Sequence, residues 1–305
     1  MSLRARLLIV AATLCVATAA PVLADPAIGK RVDAVMADDT VTITEAGKTV
    51  LVYRTKAADP AEPGRLNYVH PLYAPDGTVL TEDRPADHIH HRGLFWAWHQ
   101  ITVNGKLVAD QWFMKDIAPS VREKRFKGDA RGGGTLTIDA DWLVKTGGEL
   151  SYVAGETTKI TVHPLKAGGR RIDFETTITS KVDALGLGGS DDVKGYGGFS
   201  ARFVAPDRLT FASAGKTVTA TNTAVAAGPS MGFAWPAGSG GPAWSLGLAC
   251  KANGQPITQW ILRKELSMQN CVFPGRAPFI LKKGETLKLQ ETLIIRPATP
   301  PKARK

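Results

Sequence analysis

Thirteen consecutive residues hold most of the groups in this chain that could move a proton or bind a metal near neutral pH. They are Asp87-His88-Ile89-His90-His91-Arg92-Gly93-Leu94-Phe95-Trp96-Ala97-Trp98-His99. Four of the six histidines lie inside this stretch, a fifth, His70, is just upstream, and only His163 is remote. Histidine titrates near neutral pH and is the commonest metal ligand, so such a density points to chemistry rather than packing alone.

Three readings follow. In the first, the segment enters a strand, and alternation puts His88 and His90 on one face with Asp87 and His91 on the other. Two imidazoles on one side could then hold zinc, copper or iron, with His70, His99 or a distant carboxylate completing the shell. In the second, His88, His90 or His91 is a general acid or base, Asp87 fixes its tautomer, and Arg92 clamps an anionic or hydroxyl-rich substrate. In the third, most of the imidazoles cap loops and bond backbone carbonyls.

The tryptophans add a ligand class. Seven are present, at 96, 98, 112, 142, 235, 244 and 260, and indole pairs a flat apolar face with an N–H donor, which suits sugar rings. Trp96 and Trp98 share a face of the expected strand, so both pack inward or both line a cleft. Tyr196 and Arg202 flank Gly197-Gly198-Phe199-Ser200, where backbone can approach a ligand closely. Arg263 and Arg276 are further candidates from late strands. Glu156, Glu175, Glu265 and Glu291 could pair with the histidines, although each is expected on the solvated surface, since Glu is rarely buried without a partner.

The elements that must position these groups are strands. Thr40–Thr44 and Thr49–Tyr53 alternate around a Gly-containing turn, Glu45–Lys48, and Phe95–Val103 meets Leu107–Phe113 across Asn104-Gly105, the strongest short hairpin signal. In Arg171–Ile178, Ile172, Phe174, Thr176 and Ile178 share one face. Short strands are also expected at Leu150–Val153, Thr157–Val162, Ser200–Val204, Trp244–Ala249, Ile257–Leu262 and Thr286–Ile295, with a Gly-rich loop over Gly186–Gly198. No stretch beyond the N-terminus has helical period, caps and length. The expected fold is all-β: one large antiparallel β-sandwich over residues 25–296.

Residues 1–24 are expected to be a cleaved signal peptide: Arg4 and Arg6, an apolar run from Leu7 to Ala20, then Val22-Leu23-Ala24. Its removal takes away two arginines and no acidic residue, so a formal charge of +10 falls to +8. The expected location is periplasmic or secreted, without membrane insertion, because no later stretch is long and apolar enough to span a bilayer. The Pro- and Lys/Arg-rich tail, 297–305, is expected to be disordered. Without a dense basic run and interleaved aromatics, nucleic acid is not an expected partner. Cys250 and Cys271, left after cleavage, suit either a disulfide or two buried thiols, since spacing alone does not bring two Cβ atoms within bonding reach.

The run His70-Pro71-Leu72-Tyr73-Ala74-Pro75-Asp76-Gly77, followed by Asp87-His88-Ile89-His90-His91-Arg92-Gly93, resembles a family of secreted bacterial proteins labelled PmoA-like or DUF6807. Trp142, Glu156, the Arg171–Glu175 stretch and Gly195–Arg202 resemble its later blocks. The label names a subunit of a methane mono-oxygenase, an integral membrane protein, and a chain with no spanning stretch is not that subunit. The resemblance implies a galactose-mutarotase-like supersandwich and a carbohydrate ligand, and it brings no settled catalytic residues. The expected function is therefore an exported carbohydrate-active enzyme, a lyase, epimerase or hydrolase. The alternatives are a non-catalytic sugar-binding protein relying on Trp96 or Trp98 and a metal-dependent oxidoreductase.

Overall fold

The computed structural model describes residues 31–204, 209–235, 243–265 and 268–298. The expected signal peptide lies outside the described residues, as does the tail from residue 299; Pro297 closes the last strand, Thr286–Pro297. Among the described residues there is no helix, every strand pair is antiparallel, and no helix is available to cross a membrane. The fold is all-β, as the turn spacing implied.

Two large sheets face each other. One runs, from edge to edge, through Val32–Met36, Thr40–Glu45, Lys48–Arg54, Tyr68–Leu72, Leu94–Ala97, Gly198–Ala201, Gln269–Cys271, Gln259–Ile261 and Val225–Ala226. The other has ten strands, with Trp244–Ala252, Thr286–Pro297, Arg170–Ser180, Glu149–Val162 and Gly134–Thr146 in succession at its middle. A four-stranded sheet carries Gln100–Val103 and Lys106–Ala109. The main core forms where the inner faces meet, from Val32 to Ile295, and Ile172, Phe174 and Ile178 take part in it as their alternation predicts. The disulfide Cys250–Cys271, with Cα atoms 6.4 Å apart, ties the middle of one large sheet to the other.

Several expectations change. Phe95–Val103 is not one strand: Leu94–Ala97 and Gln100–Val103 belong to different sheets, and the chain turns at Trp98 and His99. Leu150–Val153 and Thr157–Val162 are a single strand, Glu149–Val162, bent by a bulge between Tyr152 and Ala154. The Gly-rich stretch begins as a strand, Ala184–Gly188. Ile117–Gly128 is an edge strand in which Arg122, Glu123, Lys124, Arg125 and Lys127 hide the apolar signal. Charged side chains on an exposed edge keep it from pairing with another chain.

Candidate active site

The strand Leu94–Ala97 divides its side chains between two environments. Leu94 and Trp96, with Trp98 just beyond, enter the sandwich core. Phe95 and Ala97 face the other way, into a second apolar cluster with Tyr68, Trp112, Ile261, Met268 and Val272, against which Tyr196 packs. The candidate site is built over this outer cluster. Trp96 and Trp98 are not part of it, and neither is a sugar platform: Trp98 is fully buried and donates from Nε1 to the Phe273 carbonyl at 2.9 Å.

The histidines do not sit on a strand. Two successive turns, His88 N–H to the Pro85 carbonyl at 3.0 Å and His91 N–H to the His88 carbonyl at 2.9 Å, wind the segment instead. Pro85 fixes φ and Asp87 favours turn conformations, which overrides the expected alternation. His88 and His91, three residues apart, therefore stack at 4.6 Å between ring centroids. His90 meets His91 edge-on at 4.6 Å and lies 5.7 Å from His88.

Three buried arginines hold the turn. Arg65 donates to the carbonyls of Ile89 and His91 and to the carboxylates of Glu62 and Asp83. Arg92 donates to the carbonyls of His90, Gln111 and Trp112 and places its guanidinium 4.5 Å from the Phe95 ring centroid. Burial, then the nearby Arg65, lowers its pKa to about 10. Arg202, fully buried, grips Asp87 with two N–H groups at 2.9 and 2.8 Å and Glu82 with a third at 2.7 Å. Arg92 and Arg202 were both expected to bind substrate. Instead both spend most of their donors on the protein, as burial of a guanidinium requires, with Arg92 Nε lacking a partner among the described residues. Gly93 closes the motif at φ +50°, where a Cβ would fall 1.9 Å from the Val69 carbonyl oxygen, so no side chain fits.

The geometry best suited to proton transfer is that of Asp87 and His88. Asp87 Oδ2 accepts from His88 Nδ1 at 2.6 Å. Burial raises the Asp87 carboxyl, but the bonds from Arg202 and His88 outweigh it and hold its pKa at about 2. A carboxylate so fixed keeps the proton on Nδ1 and leaves Nε2 as a lone-pair acceptor. The His88 side chain is 40% exposed, so substrate can reach it. His90 and His91 are neutral at pH 7. Burial, followed by the neighbouring imidazoles, lowers His90 to about 4 and His91 to about 2.

A second carboxylate–imidazole pair stands beside the first. His99 Nδ1 meets Asp110 Oδ2 at 2.9 Å, and its ring stacks on Trp112 at 5.2 Å and meets Tyr196 edge-on at 4.9 Å. Phe113, half exposed, bridges the two groups at 4.8 Å from His90 and 5.2 Å from His99. Four of the seven buried polar side-chain atoms that lack a partner among the described residues belong to this assembly: His91 Nδ1, Arg92 Nε, His99 Nε2 and Gln111 Oε1. Buried polar atoms without a partner are uncommon in folded proteins.

Other candidates fall elsewhere. His70 bonds the Thr81 hydroxyl at 3.0 Å on the flank of the site, and burial lowers its pKa. His163 pairs with Asp173 on a different sheet. Arg263 donates to the carbonyls of Thr221, Asn222 and Leu262, and Arg276 pairs with Asp191 on the surface. Glu156 and Glu291 are buried in the sandwich, against expectation. Glu156 accepts from Asn67, Trp142 and Thr158, whereas burial pushes the Glu291 carboxyl well up. For metal, His88 Nδ1 is already engaged by Asp87, and among the described residues no three His, Cys, Asp or Glu side chains are arranged to hold an ion.

Arg65, Glu82, Asp83, Asp110 and Phe113 were not legible as site residues. Only Asp110 had a signal: pairing outward from the Asn104-Gly105 turn places residue 110 opposite residue 99. The others arrive through long-range contacts.

A family model described as a family of unknown function, DUF6807, matches residues 40–304. No curated protein matches the sequence. Among solved structures, the chain is similar to a protein of Escherichia coli K12 provisionally described as an aldose 1-epimerase, with 10% identity, a TM-score of 0.46, and coverage of 87% of this chain and 99% of that one. It is also similar to a galactose mutarotase related enzyme of Lactobacillus acidophilus, with 8% identity, a TM-score of 0.39, and coverage of 88% and 98%.

Proposed function

We propose that this chain, which belongs to the DUF6807 family, is an exported acid–base catalyst acting on a carbohydrate, with His88 as the group that moves the proton. The observation that carries this reading is the Asp87–His88 pair, its carboxylate locked by Arg202 and its imidazole partly exposed.

Nε2 of His88 can accept a proton from a hydroxyl, or from a carbon made acidic by an adjacent carbonyl or carboxylate. The imidazolium formed is stabilised by Asp87, which stays ionised. His90, neutral at working pH, offers a hydrogen bond without competing for the proton. Phe113 and Tyr196 supply ring faces for the apolar side of a sugar. Hydrolysis by a free carboxylate pair fits less well, because Asp87 and Asp110 are each engaged by an imidazole. An epimerase or lyase reaction is the better match.

The test is incubation of the purified protein with a panel of sugars and uronate oligosaccharides in D2O, followed by NMR for deuterium uptake or elimination products. Turnover should fall by at least about 100-fold in His88→Ala, the usual loss for a general acid–base group. It should survive in His163→Ala, which removes an aspartate-paired imidazole outside the site. Turnover unchanged in His88→Ala, or binding with no turnover at all, would overturn the reading.

A further inference from the structure

The run from His70 to Gly77 is only partly explained by the histidine turn. Its first residue flanks that site, while Tyr73, Ala74, Pro75, Asp76 and Gly77 form one wall of a separate cavity of about 990 Å³. The opposite walls come from the Thr40–Glu45/Lys48–Arg54 hairpin, from residues 130–132 at the turn between two long strands, and from Pro164 and Leu165. The volume is at the upper end of the range for small-molecule clefts.

The charges in this cavity are unevenly engaged. Glu45 is taken up by Arg170, at 2.6 Å, and by the Leu165 N–H, at 3.0 Å. Asp76 accepts from Trp244 Nε1 at 2.8 Å and from the Thr78 N–H at 2.9 Å. Arg31, Lys48 and Arg131 also line it, all three exposed, and none forms an ion pair among the described residues. Glu45 is thus neutralised by Arg170 while Asp76 keeps its charge, so three cations without an ion pair share the cavity with one charged carboxylate. Tyr73, half-buried, and Val50 supply an apolar surface between them.

From this arrangement we infer a second binding site, for an acidic oligosaccharide bearing a carboxylate or sulfate on successive rings. The three cations come from three separate elements instead of converging on one point, which suits charge spread along a chain better than a single phosphate. One tyrosine face serves a sugar ring. Single-stranded nucleic acid, the other polymer with a charge per unit, is bound by several stacked aromatics, and this cavity has one. The inference does not depend on the histidine chemistry.

Calorimetric titration of the full chain tests it, with a short oligogalacturonate, a sulfated oligosaccharide of the same length, a fully methyl-esterified oligogalacturonate and a short oligothymidylate. At least one acidic glycan should bind, more weakly as salt rises. Affinity should drop about tenfold or more on esterification and in a Lys48→Ala/Arg131→Ala double variant, the loss of a charge-assisted contact. Only the affinity that the Lys48→Ala/Arg131→Ala variant loses is counted for this site, so failure of the proton-transfer reading leaves this result standing. The sulfated and carboxylated probes tell which acid is preferred. Equal binding of the ester, equal binding by the double variant, tighter binding of the oligothymidylate, or no binding of either acidic glycan at millimolar concentration would each overturn the inference.

Discussion

The imidazoles of His88 and His91 lie parallel, with an interplanar angle of 1° and centroids 4.6 Å apart. One ring is open to solvent and joined to a carboxylate; the other is buried with its Nδ1 unpartnered. Two positively charged rings could not share this stack. Keeping His91 neutral is therefore a condition of the site, and the buried arginines around it reinforce that condition.

Stability should depend on pH in a defined direction. His90 and His91 have folded-state pKa values of about 4 and about 2, below the ordinary 6.5, so the unfolded chain binds more protons once the pH falls under 6.5. Stability is then lost on acidification, through pH 4 for His90 and on toward pH 2 for His91. Asp87, depressed to about 2, adds a loss in the same direction below the usual carboxylate range. For the buried His91, the loss between pH 7 and pH 5 is about 2 kcal/mol. Urea unfolding at the two pH values should show it, and His91→Gln should reduce the difference by that amount. An unchanged difference would mean that His91 is charged in the fold.

Trp98 should matter for stability and not for ligand. Trp98→Phe removes a buried indole and leaves the Phe273 carbonyl without its donor, a cost of about 2 kcal/mol. Sugar affinity should stay within twofold of the parent. A fall in affinity at unchanged unfolding midpoint would return the tryptophan to the binding surface.

The Cys250–Cys271 bond closes a span of 21 residues between the two large sheets. Loop closure of that length corresponds to about 3 kcal/mol against the unfolded chain. A Cys250→Ala/Cys271→Ala double variant should unfold earlier by that amount in urea, and dithiothreitol should lower the parent's midpoint toward it. Equal midpoints in all three cases would show that the bond is absent in solution.

The sequence by itself determined the all-β class, the inward face of Ile172, Phe174 and Ile178, the hairpin turns, and the stretch around which the candidate site is built. These are local signals: alternation of period two and glycines at turns act over a few residues. It also suggested that Asp87 would orient a histidine, because adjacent residues need no folding to meet.

Only the tertiary structure decided the partners. Asp87 and Arg202 are 115 positions apart, and whether Arg202 clamps a substrate or a carboxylate depends on what buries it. The tryptophans of the motif went into the core because the strand had two apolar faces, and nothing local says which one the opposite sheet will cover. The turn in place of a strand at His88–His91 has the same origin. Arg65 donates to two of its carbonyls from more than twenty residues away, and a contact at that distance leaves no periodicity to read.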